Sequence, residues 1–385
     1  MDTPSEQAPD PLKRIPQLDG VRGLAILLVL IWHYYAPVWS PNSGPAQAFL
    51  KKLLSLSWSG VDLFFVLSGF LIGGILLNAR GKSRYYANFY TKRVFRIVPA
   101  YAALLLSFAV FQRIDWQDAG SLAYFTDTTI PIWSYLVFVQ NIYMSVLDVW
   151  GAEWLAVSWS LAIEEQFYLI APFMISYFSR RSLPRVLVVL ILVAPVFRTI
   201  ALTSWGDLAP FVMLPARMDA LLLGVLGAWM VRQPTIDKAL RDNTRFLYGL
   251  LLVMLSGIVV FSLSGFDYIS PALTPMGYSW IAVCYLVMIL VAVYSPSRLI
   301  RRFFTFKPLM GLGTISYFVY LFHMIFHALS FHFITGKQPL LADSGDVVAT
   351  LVALLATIIF GALSWRLFEG PLIRYGRRKF VRQAA

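Results

Sequence analysis

LSWSGVDLFFVLSGFLIGGILL, residues 56–77, decides the fold: 22 residues with one ionisable side chain, Asp62. A helix rises about 1.5 Å per residue, so roughly 20 apolar residues cross the hydrocarbon core of a bilayer. Working outward from this span, comparable apolar segments recur from end to end. They run from Val21 to Trp39, Ile97 to Phe111, Trp159 to Phe178, Val186 to Thr203, Phe211 to Val231, Phe246 to Ser264, Gly277 to Tyr294, Leu309 to Ile334 and Val347 to Phe368. The expected fold is an all-α integral membrane protein of about ten transmembrane helices.

Composition points the same way. With 58% apolar and only 14% charged residues, the chain carries more apolar side chain than a soluble globular protein can bury. Residues 1–20 are polar and Pro-rich and do not read as a signal peptide, so the first helix is expected to serve as the targeting signal and to stay. The expected organisation is an N-terminal tail (1–20), one transmembrane domain (21–368) and a basic C-terminal tail (369–385). The net charge of +12 does not indicate nucleic acid, because the basic residues alternate by side along the chain. Arg80 to Arg96, Arg180 to Arg185, Arg232 to Arg245, Arg298 to Lys307 and Arg374 to Arg382 fall on one side. The opposite loops hold only Lys51, Lys52, Arg113 and Lys337. The positive-inside rule then places both termini in the cytoplasm and assigns the basic residues chiefly to topology and lipid headgroups. Ile130 to Ser158 is ambiguous. If it spanned, every later loop would flip, so it is expected to be a re-entrant or interfacial segment on the outer side. Cys284 is the only cysteine, which excludes a disulfide frame and a cysteine-based metal site.

Ionisable groups inside lipid are expensive and usually mark a cavity or a partner. Arg22 and His33 stand eleven residues apart on the first helix, within about 20° of one stripe and roughly 16 Å along it. Asp62, near the outer interface, either caps its own helix or orients His33. Glu164 and Glu165 point about 100° apart, so at most one faces a shared site squarely; the alternative is a buried ion pair with Arg217 or Arg198. Arg217 and Asp219 either form such a pair or grip a polar acceptor. His323 and His327 have an i, i+4 spacing that suits a metal, yet no nearby carboxylate or thiol completes a site, so no metal is expected. Arg93 and Arg96, at i and i+3, share a face and offer two planar forks to a phosphate. No P-loop or dinucleotide fingerprint accompanies them.

Read together, Leu18-Asp19-Gly20-Val21-Arg22-Gly23-Leu24-Ala25 with His33, the Gly60 to Leu71 run, Arg93-x-x-Arg96 and Trp159 to Leu169 resemble the acyltransferase-3 membrane family. The resemblance continues through Arg217-Met218-Asp219-Ala220, Ser316-Tyr317-x-x-Tyr320-Leu321-x-His323 and Phe368-Glu369-x-Pro371. Each motif is weak alone; all of them in order, with this topology, are specific. The resemblance implies a bacterial inner-membrane enzyme transferring an acyl group, commonly acetyl from acetyl-CoA, to hydroxyls of cell-surface carbohydrates, lipid-linked glycans or similar acceptors. On that reading Arg22, Arg93 and Arg96 hold the CoA phosphates, and the thin pantetheine arm runs along the helix 1 stripe toward His33 as general base. Asp62 or Glu165 would orient the imidazole, and His323 or Tyr320 would donate to the developing oxyanion. Succinyl is an alternative donor group, and an acyl-histidine intermediate is not separated from direct transfer. A secondary transporter or flippase, or a non-catalytic partner of a polysaccharide synthase, stands against the enzyme. The absence of a half-to-half repeat counts against transport.

Overall fold

The computed structural model describes residues 15–35, 44–114, 121–122, 125, 127–266 and 268–381. The expected tail up to residue 14, residues 36–39 at the end of the first expected span, and Arg382 lie outside these. Among the described residues there is no β-strand. The chain runs α1 (Pro16–Tyr34), α2 (Pro45–Leu54), α3 (Gly60–Ala79) and α4 (Tyr85–Phe111), then the short α5 (Ile132–Leu136), α6 (Gln140–Leu147) and α7 (Glu153–Ala156). Next come α8 (Trp159–Tyr177), α9 (Leu183–Ser204), α10 (Ala209–Val212), α11 (Leu214–Met230), α12 (Pro234–Asp242), α13 (Thr244–Leu263) and α14 (Gly277–Tyr294). The series closes with α15 (Arg298–Phe304), α16 (Lys307–Thr335), α17 (Ser344–Ser364) and α18 (Gly370–Gly376).

Among the described residues, eight stretches, built on α3, α4, α9, α11, α13, α14, α16 and α17, are long and apolar enough to cross a membrane. The other two expected spans, α1 and α8, are helices of 19 residues each, and both carry ionisable pairs within the helix: Asp19 and Arg22, Glu164 and Glu165. The largest correction to the expected bounds is α4, which begins at Tyr85 rather than Ile97. Lys92, Arg93 and Arg96 depress the hydropathy there, but a helix that turns its polar face to the protein interior accommodates them. The ambiguous Ile130 to Ser158 breaks into three helices of at most eight residues, too short to span. Phe138 and Asp148 interrupt them with left-handed backbone at φ 58° and 52°, a region costly for residues other than glycine. Polar hooks hold the segment in place. Gln166 donates to the Phe138 carbonyl (2.8 Å) and to Asn141 (2.9 Å), and Asn141 donates to the Val212 carbonyl (3.0 Å).

Two backbone-to-backbone contacts set the frame. A Cβ on Gly23 would lie 1.9 Å from the Leu309 carbonyl oxygen, and one on Gly313 would lie 2.1 Å from that of Asp19. Only glycine therefore permits α1 to lie this close to α16. The same holds for α3 on α11, where a Cβ on Gly69 would stand 1.9 Å from the Leu221 oxygen and one on Gly224 2.1 Å from that of Val66. Each contact brings two motif-bearing helices together. Buried ion pairs then tie α11 to both neighbours: Arg217 to Asp62 of α3 at 2.5 Å, and Asp219 to Arg198 of α9 at 2.9 Å. In a low-dielectric interior either charge alone would cost several kcal/mol, about 3–5, so pairing is what lets them stay.

Candidate active site

Two cavities approach each other inside the helices, with Val61 and Tyr320 in the walls of both. The smaller, about 210 Å³, is lined by Arg22, Arg93, Arg96, Ser68, Glu164 and Tyr168. The larger, about 830 Å³, is lined by His33, His327, Trp32, Trp58, Trp150 and Trp159 among others. The α1 stripe thus has one end in each cavity: Arg22 faces the small one and His33 the large one. Arg93 and Arg96 open onto the small cavity from a single face of α4.

The small cavity is cationic. Arg22 holds Asp19 at 3.3 Å, and the Arg93 guanidinium lies 5.7 Å from the centre of the Tyr168 ring while its buried Nε has no protein partner. Tyr168 donates to Glu164 at 3.1 Å and bonds the Ser68 hydroxyl. Three guanidinium groups around one confined volume repel each other unless an anion lies between them, so the chemistry of this donor set suits phosphate.

His33 is set up differently from the sequence expectation. Its Nδ1 bonds the Val29 carbonyl at 2.9 Å, four residues back on its own helix. A carbonyl only accepts, so the neutral ring carries its proton on Nδ1 and a lone pair on Nε2. His323 is held in the same way by the Tyr320 (2.8 Å) and Val319 (3.1 Å) carbonyls, and its Nε2 is buried without a protein partner. The two imidazoles meet edge to face at 4.7 Å between centres. His327 stacks on Tyr34 at 4.3 Å, and Tyr34 donates to the His323 carbonyl at 2.9 Å. Tyr320, between the cavities, donates to the Val157 carbonyl at 2.9 Å and bonds Ser160.

The structure brings His33 and Tyr320 to the large cavity and Arg22, Arg93 and Arg96 to the small one, while His323, fully buried, packs against the His33 ring and lines neither cavity. It does not bring Asp62 or Glu165 to His33. Asp62 is 1% exposed and bonded to Arg217, because α3 and α11 meet at their glycines and a buried carboxylate takes the cation facing it. Glu165 lines neither cavity, and its buried Oε1 has no protein partner. Neither glutamate pairs with Arg198 or Arg217. Arg217 and Asp219, expected either to form a buried ion pair or to grip a polar acceptor, line neither cavity and form ion pairs within the protein, with Asp62 and Arg198 respectively. Among the described residues no group of three or more His, Cys, Asp or Glu is placed to hold a metal. Sequence reading missed the tryptophan wall of the large cavity and the Ser68–Tyr168–Glu164 chain of the small one. Tyr168 and Trp159 both fall within the quoted Trp159 to Leu169 motif, which is the signal that could have found them.

The model of the acyltransferase domain family known as acyltransferase-3 matches residues 15–366. Among curated relatives, the O-acetyltransferase OatA of Staphylococcus aureus is 26% identical over 391 residues, covering 95% of this chain and 58% of that protein. The putative peptidoglycan O-acetyltransferase YrhL of Bacillus subtilis is 30% identical over 398 residues, covering 96% of this chain and 56% of that protein. The peptidoglycan O-acetyltransferase OatA of Listeria monocytogenes is 26% identical over 381 residues, covering 94% and 56%. The chain thus spans little more than half the length of these relatives. No solved structure matches significantly.

Proposed function

Because the chain belongs to the acyltransferase-3 family of multi-pass bacterial membrane proteins, we propose that it transfers an acyl group, acetyl from acetyl-CoA, across the membrane to a hydroxyl of a carbohydrate or glycolipid acceptor. The relatives named for peptidoglycan O-acetylation favour a cell-wall glycan as that carbohydrate. One observation carries the reading: a small cavity ringed by arginines and a large cavity holding a base-competent histidine share the wall formed by Tyr320 and Val61. The arginine end is assigned to the cytoplasm with both termini, by the positive-inside rule.

In this mechanism Arg22, Arg93 and Arg96 bind the donor's phosphates by charge-assisted hydrogen bonds. Its thin arm enters the small cavity and carries the thioester to Tyr320. The acceptor fills the large cavity with a hydroxyl at His33. As that oxygen attacks the thioester carbonyl, His33 Nε2 takes its proton. The tetrahedral oxyanion collapses, the carbon–sulfur bond breaks, and the imidazolium returns the proton to the departing thiolate. Products are an ester and the free CoA thiol. The Val29 carbonyl keeps Nδ1 protonated throughout, the orienting task that a carboxylate performs in other histidine sites. Tyr320 borders the reacting atoms and becomes the neutral donor to the oxyanion by turning its hydroxyl away from the Val157 carbonyl, while the buried His323 ring backs His33.

The test is transfer of radiolabelled acetyl from acetyl-CoA by membrane vesicles supplied with glycan acceptors. Wild type is expected to label the acceptor and His33→Ala to lose about 10² to 10⁴ of the rate, the usual weight of a general base. Full transfer by well-folded His33→Ala would remove His33 from the chemistry.

A further inference from the structure

Arg217 makes one ion pair, yet its surroundings are mostly aromatic. Its guanidinium carbon lies 4.3 Å from the ring centre of Tyr278, 5.0 Å from Phe211, 5.9 Å from Trp58 and 6.0 Å from Phe65. The group is 1% exposed, and its Nη1 has no hydrogen-bond partner among the described residues. Two of these rings, Trp58 and Phe211, form part of the wall of the large cavity. Tyr278 reaches that wall as well, through its hydroxyl's bond to the Tyr268 carbonyl.

A tryptophan in a binding wall is commonly fixed by a hydrogen bond from its indole N–H. Among the described residues Trp58 has none: its buried Nε1 meets no hydrogen-bond partner there. What fixes its ring is contact, with Phe211 at 5.7 Å and Tyr278 at 5.4 Å, both near edge to face, and with Arg217 behind it. Phe211 extends the same wall toward Trp159 (4.6 Å) and Tyr268 (5.0 Å). A desolvated cation behind several aromatic faces holds them by their quadrupoles, and here Asp62 holds the cation.

We propose that the Asp62–Arg217 pair is a positioning element for the acceptor: Arg217 sets the Trp58–Phe211 wall, 3% and 5% exposed, whose free ring edges bound the cavity where the apolar face of an acceptor sugar ring packs. This rests on the reading of the large cavity as the acceptor site. Arg217 touches neither substrate. It acts through Trp58 and Phe211, which separates it from a residue that merely stabilises the fold.

The experiment is a double-mutant cycle on acceptor KM, using Arg217→Lys, Trp58→Ala and the combination in full-length protein in vesicles. Lysine keeps a charge for Asp62, but its compact ammonium cannot lie against four rings at once as the planar guanidinium does, so most of the cation–ring contact is lost. Arg217→Lys is expected to raise acceptor KM about five- to tenfold with a smaller change in donor KM. Trp58→Ala should raise acceptor KM at least as much, and Arg217→Lys should add less than about twofold in its background. Effects that multiply, or equal changes in donor and acceptor KM, would overturn the proposal and leave Arg217 a structural residue. If Arg217→Lys does not fold, the charge-free pair Asp62→Asn with Arg217→Gln replaces it in the same cycle, judged by the same criterion. Wild type that transfers no acyl group at all would refute the acceptor-site reading instead, so the two failures are distinguishable.

Discussion

Replacing Gly23 by alanine tests the packing and the site together. The added Cβ would stand 1.9 Å from the Leu309 carbonyl oxygen, where contacts under 3.0 Å force something to move. That oxygen belongs to a helix backbone, so α1 and α16 must part by at least about 1 Å. Overpacking of this kind costs roughly 1–3 kcal/mol, which for a chain of this size lowers the melting midpoint by several degrees. The same movement draws His33 away from His323 and Tyr320. A displacement of about 1 Å at a reacting centre costs up to about 10²-fold in rate. The assay pairs thermal unfolding of purified protein in detergent with kcat for acyl transfer. Gly311→Ala on α16 is the control, since nothing lies within 4 Å of a Cβ there. A Gly23→Ala protein with wild-type melting and wild-type kcat would refute the close approach of α1 to α16 and the placement of His33 that depends on it.

Other outcomes follow from the same contacts. Arg198→Ala should cost about 3–5 kcal/mol, read as a lowered melting midpoint, because it strands Asp219 and the Pro275 and Ala216 carbonyls that Arg198 satisfies; replacing Arg198 and Asp219 together by apolar residues should recover part of the loss. Arg93→Ala with Arg96→Ala should raise KM for acetyl-CoA by about 10² or more while leaving S-acetyl-pantetheine, which lacks the phosphates, little affected; equal losses for both donors would argue against phosphate recognition. At the N-terminus of α17 the Lys337 ammonium, bonded at 2.8 Å, holds the Asp343 carboxyl below its ordinary value. Its folded-state pKa is depressed, so its capping of α17 is present above the ordinary carboxylate pKa and lost as pH falls through the lower folded value. Protection against hydrogen exchange in the first turn of α17, corrected for the intrinsic pH dependence of exchange, should therefore fall at low pH and stay level between pH 6 and 8.

What the sequence disclosed and what it hid divide along the range of the interactions. The apolar segments announce helices because lipid imposes length and polarity locally, and Gly277–Tyr294 is found with the bounds read from hydropathy alone. The Arg22–His33 stripe was legible because both residues sit on one helix, and so was the shared face of Arg93 and Arg96. The orienter of His33 was misassigned to a carboxylate although the Val29 carbonyl, four residues back, is always within a helix's reach. Charge partners were not legible. Asp62 meets Arg217 across 155 residues, and nothing near either one in sequence indicates the pairing. The wall of the large cavity was hidden for a related reason: Trp32, Trp58, Trp150 and Trp159 come from separate segments, and in a membrane protein a lone tryptophan reads equally well as an interface anchor.

The central claim is that the acyl group crosses while its carrier stays behind. Sealed inverted vesicles, whose outer face is the cytoplasmic one, would receive acetyl-CoA labelled with one isotope in the acetyl group and another in the CoA. The account predicts acetyl label esterified to glycan in the lumen, with the CoA label remaining outside. Both labels in the lumen, or acetyl esters formed only on the outer face, would contradict it.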